Sequence, residues 1–286
     1  MAEITAAMVK ELRERTSVGM MDCKKALQEC GGEMETAIDW LRQKGLSKAA
    51  KKAGRTTSEG LIGLQSAPDN TAAAMVEVMC ETDFVARGDQ FKAFAADVAS
   101  KVYDNNPADA DALAALVGED LNNQIATLGE NMSIGRFARF AAEQPGLVGS
   151  YIHSNGKIGV LVELGVKDKA SLAKPELLEL ARNIAMQVAA TGSLALDPSC
   201  LDPAVVERER EVFRQKTLDE GKPANIVDKI VDGRIQKFYQ EVCLMEQAYI
   251  RDDKVTIKAL VKDQCKCLGD EITVRRFARI QLGENS

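Results

Sequence analysis

The apolar positions of the first 45 residues recur at helical spacing in three short runs. In ITAAMVKELRERT, Ile4, Met8, Val9 and Leu12 share one face of a 3.6-residue period. Ser17-Val18-Gly19 breaks that run, and MMDCKKALQEC resumes it until Gly31-Gly32. EMETAIDWLRQKG then puts Met34, Ile38 and Leu41 on one face, with Gly45 as its predicted end. The pattern predicts a three-helix module over residues 1–45, near the lower size limit for an independent fold and suited to docking. Around residues 46–58 the pattern turns basic: Arg42, Lys44, Lys48, Lys51, Lys52 and Arg55 follow one another with almost nothing apolar between them. A solvated, partly helical linker and an RNA-contacting patch both fit that stretch.

Further on, the pattern repeats. GLIGLQSAPDNTAAAMVEV, from Gly60, aligns with GLVGSYIHSNGKIGVLVEL, from Gly146, at an offset of 86 residues. The offset superposes Gly63 on Gly149, Met75-Val76-Glu77-Val78 on Leu161-Val162-Glu163-Leu164, and Phe91, Val98 and Val102 on Leu177, Ile184 and Val188. LGENMSIGRFARF (128–140) then matches LGDEITVRRFARI (268–280) at an offset of 140, so the second copy carries an insertion of 54 residues between Val188 and Leu268. Each copy reads as strand, tight turn, strand, loop, helix and a later strand. Asn155-Gly156 marks the turn of the second copy, and Pro68-Asp69-Asn70 takes the same place in the first. The insertion begins with Asp202 as N-cap and Pro203 at the first helical position. It breaks at Gly221-Lys222-Pro223 and continues with Ile226, Ile230, Ile235, Phe238 and Val242. That pattern predicts an antiparallel helical hairpin over about 202–245, either projecting as an arm or packed flat on the core. The expected class is α+β: the helical module (1–45), a basic linker (46–58), a first repeat (59–142) and a second repeat with the coiled-coil hairpin and a short tail (143–286).

Composition narrows the chemistry. The net charge of −6 disfavours a dedicated nucleic-acid binder. Seven cysteines without a CxxC, beside a single histidine, argue for reduced thiols and against a Cys/His zinc site. Charges interrupt the apolar positions of MAEITAAMVKELRER, so no signal peptide is expected, and no run approaches the ~20 apolar residues of a membrane helix. GSYIHSNGK fails as a phosphate loop, because six residues separate its glycines and Ile158 stands where a magnesium-binding hydroxyl is needed. Cys265-Lys266-Cys267 would point its thiols to opposite faces if it lay in a strand. RFAR occurs twice, which favours a shared structural strand over an RNA contact. No acid, base and nucleophile come together.

One stretch stands apart. In MVEVMCETDFVARGDQF (75–91), Phe84 and Val85 sit among Thr82, Asp83, Arg87, Gly88 and Asp89, in what reads as a polar loop. At offset 86, Thr82-Asp83-Phe84-Val85 falls on Asp168-Lys169-Ala170-Ser171. The repeated fold therefore does not itself require an aromatic there. A plug for the chain's own core and an outward contact both remain open.

LRERTSVGMMDCKKAL (12–27) and EVMCETDFVAR (77–87) resemble the two signature stretches of the bacterial elongation factor Ts family. The resemblance runs the length of the chain. Ser17 stands where the family usually has Gly, Asp or Gln, and Met79 where Asn is common. The family implies a cytoplasmic guanine-nucleotide exchange factor for elongation factor Tu, with no catalytic chemistry, cofactor, metal or bound nucleotide of its own. The resemblance implies that the N-terminal module, similar to ubiquitin-associated domains, docks on the partner's GTPase domain. Arg13, Met20 and Met21 match family contact positions, with one of the two methionines expected to fill the module's own core. Thr82, Asp83, Phe84 and Val85 match the segment that dislocates magnesium, Asp83 and Phe84 pressing into the GTPase domain. Leu128, Gly129 and His153 match further contacts, and the arm and tail are expected to reach elsewhere, a second partner domain included. A ribosome- or RNA-associated binding protein, an enzyme with an unrecognised site (disfavoured by the absence of paired catalytic groups) and a passive adaptor for ubiquitin-like folds are the rival readings.

Overall fold

The computed structural model describes residues 4–16 and 18–284. Ser17, part of the break expected after the first helix, lies outside the described residues, as does the side chain of Lys48 in the basic stretch. In order, the elements are α1 (Ala6–Thr16), α2 (Met20–Glu29), α3 (Met34–Ala50), β1 (Glu59–Ser66), β2 (Ala72–Cys80), α4 (Asp83–Arg87), α5 (Asp89–Asn105), α6 (Ala110–Leu128) and β3 (Met132–Ala141). The second half of the chain adds β4 (Gly146–Ile152), β5 (Ile158–Val166), α7 (Pro175–Thr191), α8 (Pro203–Asp219), α9 (Ala224–Val242), β6 (Ala248–Tyr249), β7 (Asp252–Thr256), α10 (Ile257–Leu268) and β8 (Ile272–Gln281). The class is α+β, as expected.

The first three helices close on Val9, Leu12, Cys23, Ala26, Leu27 and Leu41. Gly31 and Gly32 end α2 in the left-handed region, at φ 64° and 90°. Gly45, the predicted end of α3, is instead an interior position, and the helix continues to Ala50. Docking explains the difference. Glycine disfavours a helix interior by about 1 kcal/mol. Here an added Cβ would lie 3.5 Å from the Ala126 side chain, and Arg42 on the same helix pairs with Glu119 on α6 at 2.6 Å. Tertiary packing therefore carries α3 past its glycine.

Two three-stranded sheets carry the duplication, ordered β1-β2-β3 and β4-β5-β8. β4 and β5 pair antiparallel, with Gly146 opposite Gly165 and Ile152 opposite Gly159. The central strands β2 and β5 are buried almost throughout, and each buries a glutamate, Glu77 or Glu163. Phe91, Val98 and Val102 of α5 are fully buried, and so are Leu177, Ile184 and Val188 of α7. Both hairpins close alike. The Ala67 amide donates to the Ala72 carbonyl at 2.8 Å, and the His153 amide to the Ile158 carbonyl at 2.9 Å. Asn70 (φ 57°) and Gly156 (φ 72°) take the left-handed position of the turn.

Two compact units result. One comprises the described residues up to Gln65, Ala74–Ala138 and the chain from Ile280; the other comprises Ser66–Ala73 and Arg139–Arg279. In the second unit Asp202 caps α8 through the Ala204 amide at 2.8 Å, and Gly221 (φ 73°) turns the chain into α9. The apolar face of α9 differs from the expected stripe. Val227, Val231 and Ile235, four residues apart, are buried with Phe213 and Tyr239 beside them, whereas Ile226 is exposed. Steps of three to five residues had merged two neighbouring faces of one helix. Phe238 and Val242 pack instead with Ala195, Leu201 and Cys243. Cys265-Lys266-Cys267 lies in helix α10 rather than in a strand.

Candidate functional site

Strand β2 runs into the stretch that raised the question of Phe84. The expected loop is a short helix. The Thr82 hydroxyl accepts from the Val85 amide at 3.4 Å, and the Thr82 carbonyl from the Ala86 amide at 3.2 Å. Asp83 and Arg87 pair at 2.9 Å one turn apart. Arg87 is largely in water and Asp83 half-exposed, so that pair is worth only a few tenths of a kcal/mol. Gly88 ends α4 in extended conformation and opens α5. A single turn thereby divides its side chains. Ala86 is buried and Val85 half-buried on the core that holds Phe91, while Phe84 is 86% exposed. The ring does not plug the chain's own core.

The entry to α4 is held from below by a residue that the sequence pattern did not single out. Gly129, at φ 81°, caps α6 and turns the chain so that Glu130 faces the end of β2. Its Oε2 accepts from the Glu81 amide at 3.1 Å and the Thr82 amide at 3.0 Å. Its Oε1 accepts the Thr82 hydroxyl at 2.6 Å. Glu81 in turn accepts the Asn131 amide at 2.6 Å, and the Asn131 side chain donates to the Arg55 carbonyl at 2.7 Å. On the other side, the Cys80 thiol donates to the Thr82 carbonyl at 3.2 Å. Burial, and then the nearby Glu130 carboxylate, push that thiol up to about 11. Thr82 to Val85 and Leu128-Gly129, far apart in sequence, are thus tied together through Glu130. A signal for Glu130 was available: both LGEN and LGDE carry an acid after the glycine.

The other candidate residues lie on separate elements. Met20 and Met21 open α2 and are 55% and 78% exposed. Neither fills the module's core, contrary to expectation, because Cys23, Ala26 and Leu27 occupy the inward face of that helix. Arg13 is exposed on α1, Leu128 is half-buried against the core, and Gly129 is exposed. His153 is exposed at the β4–β5 turn of the second unit, its Nδ1 3.2 Å from the Tyr151 hydroxyl.

Several of the groups that spoke for RNA are engaged within the fold. Lys52 donates to the Ile125 carbonyl at 3.3 Å, and Arg55 pairs with Glu81 at 3.4 Å. In the RFAR strands, Arg136 reaches Glu77 at 3.4 Å and Arg276 reaches Glu163 at 2.6 Å, so RFAR is a shared structural strand, as expected. Among the described residues no group of His, Cys, Asp and Glu is placed to hold a metal ion, and no helix is long and apolar enough to cross a membrane.

Comparison with known proteins identifies the family. The family described as "Elongation factor TS" matches residues 81–284. An elongation factor Ts of Desulfovibrio desulfuricans is 63% identical over 99% of both chains. That of Nitratidesulfovibrio vulgaris is 55% identical over 99% of this chain and 97% of its own. That of Lawsonia intracellularis is 53% identical over 98% of this chain and 99% of its own. With a match over most of the chain and relatives this similar end to end, the chain belongs to the elongation factor Ts family of translation elongation factors.

Proposed function

We propose that the chain is a guanine-nucleotide exchange factor: it binds elongation factor Tu with GDP, dislocates the magnesium ion there, and promotes GDP release so that GTP binds. The observation that carries this reading is Phe84, an aromatic ring 86% exposed on a helix whose entry is anchored by three hydrogen bonds to one carboxylate. A lone domain has no use for a ring so placed, whereas a wedge must be both exposed and stiff. The factor performs no chemistry. It acts as an allosteric effector whose binding and the nucleotide's binding are mutually unfavourable, with reciprocal coupling.

Magnitudes set the division of labour. Burying one Phe yields roughly 1.5–3 kcal/mol, at most about a hundredfold in nucleotide affinity. Further contacts must hold the partner in the displaced state. Met20, Met21 and Arg13 on the helical module serve the GTPase domain, with Leu128 and Gly129 beside the wedge and His153 on the second unit. Displaced magnesium withdraws a divalent charge from the phosphates, which weakens nucleotide retention without Phe84 touching the nucleotide. The test is release of fluorescent GDP from purified elongation factor Tu in a chase with excess unlabelled GDP. Release that accelerates with added chain supports the reading; release unaffected at saturating chain overturns it.

A further inference from the structure

The two repeats hold the segment after their central strand with the same device. In the first, the Glu130 carboxylate accepts the amides of Glu81 and Thr82 at 3.1 and 3.0 Å. In the second, the Asp270 carboxylate accepts the amides of Lys167 and Asp168 at 3.2 and 3.1 Å. The matching is residue for residue at the offsets of 86 and 140. Beyond the clamp the two segments differ. In the second repeat Asp168 caps a 3-10 segment, Lys169–Ala173, with Ala170 where the first repeat has Phe84. In the first, Thr82 caps α4, and its hydroxyl donates to Glu130 at 2.6 Å while its oxygen accepts from Val85. Of these two carboxylates, Asp270 also reaches the Ser171 side chain, whereas Glu130 reaches the capping side chain itself, on a helix that presents an exposed aromatic.

We infer that Glu130 is a positioning residue for the Phe84 wedge: it fixes the direction of α4, so that the force of docking moves the partner and not the helix. This rests on the exchange reading above. A charged acceptor holding two adjacent amides and a hydroxyl is short and directional, roughly twice as strong as neutral pairs. Without it, Thr82 keeps its bond to Val85 but the end of β2 no longer aims the turn. The ring would still be exposed and would still meet the partner, yet would yield where it must push. Loss of Glu130 should therefore lower the release rate at saturating factor more than it weakens binding.

Glu130→Gln keeps the size of the side chain but removes its charge, and whichever way the amide turns, its NH₂ replaces an oxygen that accepts either the Glu81 and Thr82 amides or the Thr82 hydroxyl. Asp270→Asn makes the equivalent change in the repeat without the aromatic. For each full-length variant, titration gives the GDP release rate at saturation and the concentration at half effect. Amide hydrogen exchange of the free protein over residues 81–87 reads the clamp without the partner. We expect Glu130→Gln to lose amide protection and to lower the saturated rate by about tenfold, with less than about a threefold change in half-effect concentration. Asp270→Asn should retain the wild-type rate. In a Phe84→Ala background, Glu130→Gln should have little further effect. A wild-type saturated rate for Glu130→Gln, or an equal loss in Asp270→Asn, overturns the inference while leaving the exchange reading intact. No acceleration by the unmutated chain overturns both, and the two failures are thereby distinguished.

Discussion

Arg276 donates through Nε to Oε2 of Glu163 at 2.6 Å, while Arg275 reaches Oε1 of the same carboxylate at 3.1 Å. Glu163 is almost wholly buried on β5, and the Glu143 amide also donates to it at 2.8 Å. Arg276 further lies over the Phe140 ring, 4.2 Å from its centre. Burial alone would raise the Glu163 carboxyl; the Glu143 amide and the two guanidiniums outweigh it, and the net direction is down from the ordinary 4.5.

Removing this carboxylate should destabilise the protein. Breaking a fully buried pair typically costs about 3–5 kcal/mol. The Arg276 side chain is 48% exposed, so water can replace part of what is lost, and Glu163→Gln should cost about 2–3 kcal/mol in denaturant unfolding. The pH dependence has a definite sign. A depressed folded value means that the contribution is complete above the ordinary 4.5 and disappears as the pH falls through the folded value. Glu163→Gln should therefore lose most of its disadvantage relative to wild type in acid, measured as the convergence of the two unfolding midpoints.

Two glycines set how closely a helix can approach each sheet. A Cβ on Gly149 would lie 2.5 Å from that of Ala181, and one on Gly63 would meet the Ala95 carbonyl. Those partners are themselves matched at offset 86. Gly149→Ala should thus push α7 off its sheet and destabilise by about 1–3 kcal/mol. Gly233, exposed in α9, has nothing within 4 Å of an added Cβ. Gly233→Ala should stabilise by about 0.5–1 kcal/mol. Chemical denaturation of both variants checks the opposite signs, and a loss at Gly233 would contradict this account of the packing.

These glycines show how far the sequence was legible. Gly63 on Gly149 and MVEV on LVEL were matched from the chain alone, because duplicated packing constrains both copies to the same residue types. The turns, the Asp202 cap and the RFAR strands followed from local chemistry in the same way. What could not be read depended on which element lay alongside. Gly45 looked like a helix end until α6 was seen against it. TDFVAR looked like a loop because Glu130, the anchor of its capping Thr82, comes from 48 residues further along the chain. Met20 and Met21 are both outside because Cys23, Ala26 and Leu27 had already filled the face of a very small module.

The thiols divide by burial. Cys80 and Cys243 are fully buried and both pushed up to about 11, mainly by burial. Cys200 and Cys267 are exposed. The thiolate is the nucleophile, so a buried thiol with a raised value is doubly protected. Brief treatment of the folded protein with iodoacetamide at pH 8 should label Cys200 and Cys267 and spare Cys80 and Cys243 until denaturant is added. Mass spectrometry of the peptides reads this directly. Early labelling of Cys80 would mean that the end of β2 opens readily, contrary to the anchored α4 entry.

Phe84→Ala separates the wedge from the scaffold. The ring is 86% exposed, so its removal takes almost no area out of the core, and stability should change by less than about 0.5 kcal/mol. Exchange should fall by about tenfold to a hundredfold, the equivalent of roughly 1.5–3 kcal/mol of lost burial against the partner. Met21→Ala, at 78% exposure, should likewise leave stability alone. Its effect should appear mainly in the concentration needed for half-maximal exchange, since Met21 belongs to the docking module rather than to the wedge. Asp83→Ala removes only a surface pair with Arg87 from the free protein, so any large loss of exchange there would have to come from a contact with the partner. Measured GDP release, beside unfolding curves of the same preparations, distinguishes these cases. A Phe84→Ala protein that unfolds readily, yet exchanges normally per folded molecule, would mean that the ring serves this chain's own fold after all.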